Sequence, residues 1–249
     1  MSHIARIFVE QPLASARAIP LPEGQSKYLL RVMRLTEGAR VRAFNGEDGE
    51  WMCVLSVDRK IAILTPQACS RPQETAPGLT LLFAPIKKAR TDFIVEKATE
   101  LGVSDLQPVM TDYTQTQRVR TDRMRLLAIE AAEQTERMDL PTIHEAAALP
   151  KILASWDTET PLIYCDEASD AAPLSQHANR LQRNSGGILI GPEGGFSPKE
   201  REMLRALEFV IPISLGPRIL RAETAVVSAL TLWQSEVGDW QKAPYLPEA

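Results

Sequence analysis

The chain has 249 residues, a formal net charge of -4 and 44% hydrophobic residues. That is enough for a full core or two domains, and too acidic for a protein that coats nucleic acid indiscriminately. Cys53, Cys69 and Cys165, with the isolated His3, His144 and His177, offer no metal-ligand spacing, disulfide framework or Ser-His-Asp triad. No apolar run is long enough to span a bilayer and no signal peptide is evident, so a soluble, cytoplasmic protein without membrane or metal is expected.

Residues 4–9, 40–44, 51–57 and 60–64 read as short strands, the first two by alternation of apolar and polar residues. Asn45-Gly46 and Asp48-Gly49 are hairpin-type turns, because Asn and Gly accept positive φ cheaply. A helical stretch over 26–35 carries Leu29, Leu30, Val32 and Met33 with arginines between them. The pattern predicts a small, mostly antiparallel barrel. Residues 65–78 hold Pro66, Pro72, Pro77 and Gly78 without apolar periodicity, and read as a linker. The expected domains are 1–72 and 73–249.

Beyond the linker, strand and helix alternate. A strand is predicted at 79–84, a helix at 92–101 stopped by Gly102, and a helix at 121–138 with Glu133 and Arg137 four apart on one face. Apolar strands follow at 162–165, 187–190 and 209–215. Ser197-Pro198-Lys199-Glu200 supplies an N-cap, a first-turn proline and a capping-box acid in order. Residues 225–233 are almost wholly apolar, as in a helix buried in the core or against a second subunit. The alternation predicts an α/β domain with a parallel sheet covered on both faces.

Charge is unevenly spread. Arg6, Arg17, Lys27, Arg31, Arg34, Arg40 and Arg42 outnumber Glu10, Glu23 and Glu37 at the start of the chain, and Arg118, Arg120, Arg123 and Arg125 form a second cluster broken only by Asp122. Such patches are either solvated surface or a means of placing a particular RNA.

The chemistry concentrates in two loops that follow the last two strands. One reads Gly191-Pro192-Glu193-Gly194-Gly195-Phe196, the other Leu215-Gly216-Pro217-Arg218-Ile219-Leu220-Arg221-Ala222-Glu223-Thr224-Ala225. Ligands in open α/β sheets collect at the carboxyl ends of strands, so one small-molecule site is expected there. A phosphate loop would need Gly-Lys-Ser/Thr, and a dinucleotide turn would need Gly-x-Gly-x-x-Gly; neither is present. A backbone cradle for an adenosine-type ligand and a mere tight turn both remain open.

With these loops, the chain resembles the RsmE family of ribosomal-RNA uridine methyltransferases, of the SPOUT class of knotted enzymes. Further matches are Arg6-Ile7-Phe8-Val9, Arg31-Val32-Met33-Arg34-Leu35 followed by Gly38, and Phe44-Asn45-Gly46. Lys97-Ala98-Thr99-Glu100-Leu101-Gly102-Val103 and Ala131-Ala132-Glu133-Gln134-Thr135-Glu136-Arg137 complete a set covering nearly the whole chain. Tyr28, where a His is common, and residues 111–118 depart from the family pattern.

The resemblance implies a small N-terminal PUA-like β-barrel and a deep trefoil-knotted parallel sheet that binds S-adenosyl-L-methionine. It also implies a symmetric homodimer with active sites at the subunit interface. The implied reaction is methylation at N3 of one uridine in 16S rRNA of the small ribosomal subunit. The alternative is a catalytically silent RNA-binding or ribosome-assembly module on the same fold. Gly191, Pro192, Glu193, Gly194, Gly195, Leu215, Gly216, Ile219, Leu220, Thr224 and Ala225 are the expected cofactor contacts. Arg221, then Arg218, would stabilise the charge that develops on uracil oxygens as N3 loses its proton, or else form an ion pair with Glu223 or Glu193. Glu223 or Glu193 would serve as base, face the sulfonium, or hold a loop. Arg6, Arg31 and Arg34 are the expected RNA contacts. Lys97 and Glu100 are either a surface pair or a substrate contact.

Overall fold

The computed structural model describes residues 4–116, 118–166, 171–181, 185–243 and 245. They divide into two compact units, one from Met1–Thr75, Ala132–Leu140 and Tyr245–Ala249, the other from Ala76–Ala131 and Pro141–Pro244.

In the first unit, β1 (Ala5–Phe8), β2 (Ile19–Pro20), β3 (Arg40–Phe44), β4 (Glu50–Asp58) and β5 (Ile61–Arg71) form one sheet in the order β1-β3-β4-β5-β2. Only the β1–β3 pairing is parallel. β4 turns into β5 through Arg59 and Lys60, both at positive φ, the geometry of a two-residue hairpin turn. Lys60 thus ends the turn rather than opening the strand. Ile7, Val41, Cys53, Leu55, Ala62 and Leu64 pack inward, and burial pushes the Cys53 thiol up to about 12.

Two expectations change here. Residues 65–71 are the second half of β5, not linker; register shifts opposite Glu50/Trp51 and Met52/Cys53 break the alternation that would have revealed a strand. The helix expected at 26–35 begins earlier, as α1 (Glu23–Lys27), and continues as a π-helical turn over Tyr28–Val32. That widened turn buries Leu29 and leaves Val32 68% exposed.

Beneath β1 and β3 lies a buried ionic cluster. Arg6 Nε donates to Glu50 (2.7 Å), and its Nη1 and Nη2 donate to the carbonyls of Ala132 (2.6 Å) and Arg137 (2.8 Å). Its guanidinium also lies 3.8 Å from the Phe44 ring centre. With its side chain 1% exposed, Arg6 is spent on the interior, which removes it from the expected RNA contacts. Arg42 grips Glu136 through two 2.7 Å hydrogen bonds. Burial works to raise the Glu136 carboxyl, but the Arg42 hydrogen bonds and the charges of Arg42, Arg6 and Arg71 hold it below the ordinary value. A depressed carboxylate stabilises the fold above its unfolded pKa and loses that contribution as pH falls through the folded one. The protection of β1 and β3 amides, measured against the intrinsic exchange rate at each pH, should therefore fall as pH drops below about 4.3, the free glutamate value. Glu136→Gln should flatten that acid dependence; an unchanged slope would contradict the assignment.

The second unit is built on β6 (Gly78–Phe83), β7 (Asp105–Met110), β8 (Thr142–Ile143), β9 (Ala147–Ala148), β10 (Leu162–Cys165), β11 (Ser185–Ile190) and β12 (Val210–Ile213). The order is β12-β10-β11-β6-β7-β8, with β9 also on β7, and every pairing is parallel. The helices are α2 (Lys88–Glu100), α3 (Thr121–Gln134), α4 (Leu149–Ala154), α5 (Pro198–Arg205) and α6 (Ala222–Glu236). One face packs Leu79, Leu81 and Ile188 against Ile94, Val226 and Leu230; the other packs Leu82 and Leu189 against Leu153 and Leu204. This is the two-faced parallel sheet that the alternation predicts. Pro212 sits in β12, an edge strand, where its missing N–H costs least.

Gly186 and Gly187 of β11 serve opposite faces of the sheet. A Cβ on Gly186 would come within 2.2 Å of the Trp233 ring, and one on Gly187 within 2.6 Å of the Trp156 ring. Two indoles therefore pack directly on strand backbone. α3 stops at Gln134, before Glu136 at φ +61, so Glu133 and Arg137 do not share a helical face. Glu133 instead accepts the Phe8 N–H (2.9 Å) and Arg137 pairs with Asp139 (2.8 Å).

Candidate active site

The carboxyl ends of β10, β11 and β12 enclose a cavity of about 630 Å³, the size of a small-molecule site. Its walls are the loops after β11 and β12 together with the end of β10 and the start of α6. In the first loop, the Gly195 N–H donates to the Pro192 carbonyl (2.9 Å) and closes a turn with Gly195 at φ +67. In the second, Gly216 takes φ +99 with nothing within 4 Å of where a Cβ would stand. Positive φ favours glycine at both. The capping box on α5 is present in full, and it ties in a distant segment. Ser197 Oγ donates to Asp112 (2.6 Å), and Glu200 accepts the Asp112 N–H (2.9 Å). Tyr113, next in that segment, lies 3.6 Å from where a Gly194 Cβ would stand.

Of the expected cofactor contacts, Gly191, Pro192, Glu193, Gly195, Leu215, Gly216, Ile219, Leu220 and Ala225 line the cavity. Gly194 and Thr224 are exposed and do not. Arg218 lines it, whereas Arg221 is the exposed residue preceding α6, outside the lining set. Arg31 and Arg34 are exposed in the first unit, Arg34 at φ +56. Lys97 is a surface pair, 2.7 Å from both Glu96 and Glu100.

The partner of the two candidate carboxylates is neither Arg218 nor Arg221. Arg90, in the first turn of α2, pairs with Glu193 and lies 3.4 Å from Glu223. One guanidinium thus joins the first loop to the first turn of α6. Glu223 Oε2 is buried without a hydrogen-bond partner among the described residues.

Tyr164, Asp166 and Arg201 complete the wall and lie outside the two loops that the sequence singles out. Asp166 is 3% exposed and receives Arg205 at 2.5 Å. Burial, reinforced by the Asp166 charge, raises the Tyr164 hydroxyl well above its ordinary value. Burial also pushes the Cys165 thiol up to about 12, which keeps it protonated at neutral pH. The position of Asp166, directly after a predicted strand, was a usable signal. Nothing in the sequence pattern marked Arg90.

These walls fit a nucleoside bearing a cationic sulfonium. Leu215, Leu220, Ala222 and Ala225 give apolar cover, the glycine turns bring backbone to the cavity wall, and Glu193 and Asp166 stand on it, paired to Arg90 and Arg205.

Residues 73–234 match the RNA methyltransferase domain family, and residues 21–67 match the RNA methyltransferase PUA domain. Ribosomal RNA small subunit methyltransferase E of Rickettsia conorii is 31% identical over 90% of this chain and 93% of its own length. The ribosomal RNA small subunit methyltransferase E of Neisseria gonorrhoeae, solved bound to S-adenosyl methionine, is 27% identical. Its TM-score is 0.83, over 96% of this chain and 100% of that one. A Legionella pneumophila methyltransferase, solved with the same cofactor, shares the fold with TM-score 0.85 at 24% identity, over 94% of this chain and 98% of that one. The parallel sheet, the glycine loops at its carboxyl edge and the PUA domain thus agree, and the chain belongs to the family of ribosomal RNA small subunit methyltransferases E.

Proposed function

We propose that the chain methylates N3 of one uridine in 16S rRNA, using S-adenosyl-L-methionine held in the 630 Å³ cavity. The observation that carries this reading is the cavity itself: glycine turns, apolar cover and carboxylates converge at three adjacent strand ends, in a chain of this family. Bound there, the cofactor supplies an electrophilic methyl group on a sulfonium. Neutral uracil N3 carries a proton and is a poor nucleophile, so the protein must favour the anion. Arg218, on the cavity wall, would stabilise charge on the uracil oxygens; Arg221, the first choice from sequence, lies three residues further on and outside the lining, and becomes the second candidate for that role. Glu223 keeps one carboxylate oxygen buried and unpaired, which suits a proton acceptor. Gly194, in the first loop, and Thr224, in the first turn of α6, stand off the cavity wall. Arg31 and Arg34, with the exposed Tyr28 and Val32 beside them, offer the first unit's RNA contacts.

The same reading gives the first unit a PUA-like barrel and the second a trefoil knot, with domains near 1–72 and 73–249. It makes the enzyme a cytoplasmic homodimer. The partly exposed Val227 and Leu232 on α6 and the 87% exposed Ile219 support a covering subunit.

The test is single-turnover methyl transfer to 16S rRNA in small subunits, with the product nucleoside identified by mass spectrometry. Wild type should yield 3-methyluridine, and Arg218→Ala should lose about 10²- to 10³-fold in rate, as removal of a charge-stabilising donor does, while still binding cofactor. Cofactor binding without transfer to free or assembled RNA would favour the silent RNA-binding module.

A further inference from the structure

The second unit has another cleft, of about 170 Å³, between the start of α2 and the start of α3. Lys87, Lys88, Arg118, Arg120 and Arg123 line it, against one lining carboxylate, Asp92. Like charges crowded on one wall repel, so the arrangement favours an anionic occupant. Two of the cations are already partnered. Arg123 forks onto Asp92 at 2.8 and 2.6 Å, and Arg120 onto Asp122 at 3.1 and 2.5 Å. Lys87, Lys88 and Arg118 form no salt bridge among the described residues.

The backbone adds to this charge. Lys87 precedes α2 in an extended conformation and offers no side-chain acceptor to the first-turn N–H groups, so the positive end of a 13-residue helix shares the wall. The turn is held rigid from behind. Thr91 Oγ1 donates to the Ile86 carbonyl and accepts the Ile86 N–H, both at 3.0 Å, and Thr116 Oγ1 donates to the same carbonyl at 3.1 Å. Ile86 and Met124 close the floor with buried apolar surface.

The cleft is too small for a nucleoside cofactor and suits one or two phosphodiester groups. It is also linked to the active site. Arg90, two residues beyond Lys88, pairs with Glu193 of the cofactor loop, so the first turn of α2 both lines this cleft and holds a wall residue of the larger cavity. We propose that this cleft holds backbone phosphates of the RNA strand next to the target nucleotide, through Lys87, Lys88 and Arg118. The inference rests on the methyltransferase reading for the identity of the RNA. Phosphate contacts of this kind position a strand without reading its sequence.

The test uses the full-length protein and two naked RNAs of equal length, a 16S rRNA fragment and an unrelated single strand, titrated over a range of salt. Lys88→Ala/Arg118→Ala is compared with Lys151→Ala/Lys242→Ala, which removes the same charge from exposed positions outside the cleft. Each single-strand phosphate contact contributes about 0.7 to the log–log salt slope. The cleft variant should therefore lose about 1.4 in slope, equally on both RNAs, with cofactor affinity by calorimetry confirming that it is folded. A slope equal to that of the control pair would overturn the proposal. Failure of the wild type to bind cofactor would instead strike at the methyltransferase reading, and the slope comparison would still decide the cleft.

Discussion

Gly195→Val is expected to abolish cofactor binding while leaving the first unit intact. Gly195 stands at φ +67, lines the cavity, and closes the turn after β11 through its N–H to Pro192. A β-branched residue at that φ is strained by about 1–3 kcal/mol, and the loop escapes by opening the turn. Its side chain must also occupy space at the cavity wall. Strain and obstruction act on the same loop, so affinity should fall at least about 100-fold, equivalent to about 2.8 kcal/mol. Gly195→Ala, with less bulk, should lose less. Calorimetry with S-adenosyl-L-methionine measures the loss, and unchanged hydrogen exchange in β1, β3 and β4 would localise it. A folded valine variant with wild-type affinity would remove this loop from the site.

Glu50→Ala should have the largest effect on stability. Glu50 is 0% exposed and receives Arg6 at 2.7 Å, Ser70 at 3.3 Å and the Arg42 charge at 3.5 Å. Removing it leaves two buried guanidiniums with only Glu136 and backbone carbonyls to face. Breaking a buried pair on one side costs about 3–5 kcal/mol, a large part of a domain's total stability. Denaturant unfolding of the first unit should show it, with Glu50→Gln recovering part of the loss through its remaining carbonyl oxygen. A change below about 1 kcal/mol would mean that Glu136 alone satisfies both arginines. The cluster stabilises the fold only as a set, which is why Arg6 looks like an RNA ligand from sequence: an arginine in a strand near other arginines carries no mark of a distant buried glutamate.

What was legible depended on how local its cause was. The capping box over Ser197–Glu200 is written in four consecutive residues, and it stands as read. The strands ending at Cys165, Ile190 and Ile213 are short apolar runs, and their carboxyl ends mark the cavity. The errors have non-local causes. β5 hides seven residues in an apparent linker because its bulges spoil the alternation. β7, for which the sequence predicts no strand, carries Asp105, Gln107 and Pro108, yet it lies between β6 and β8, inside the sheet. Arg90 reaches Glu193 across 103 positions of sequence, and no period or spacing reports such a pairing.

The glycines of β11 carry a further implication for how this chain can change. Gly186 and Trp233 divide one fixed volume between them, as do Gly187 and Trp156. Neither indole can be read as a free choice of large residue, nor either glycine as a flexible link. A side chain gained on the strand must be matched by ring atoms given up on the helix or loop that covers it. Along any line of descent these positions are therefore bound to drift as couples, and a lone substitution at one of them reaches a dead end.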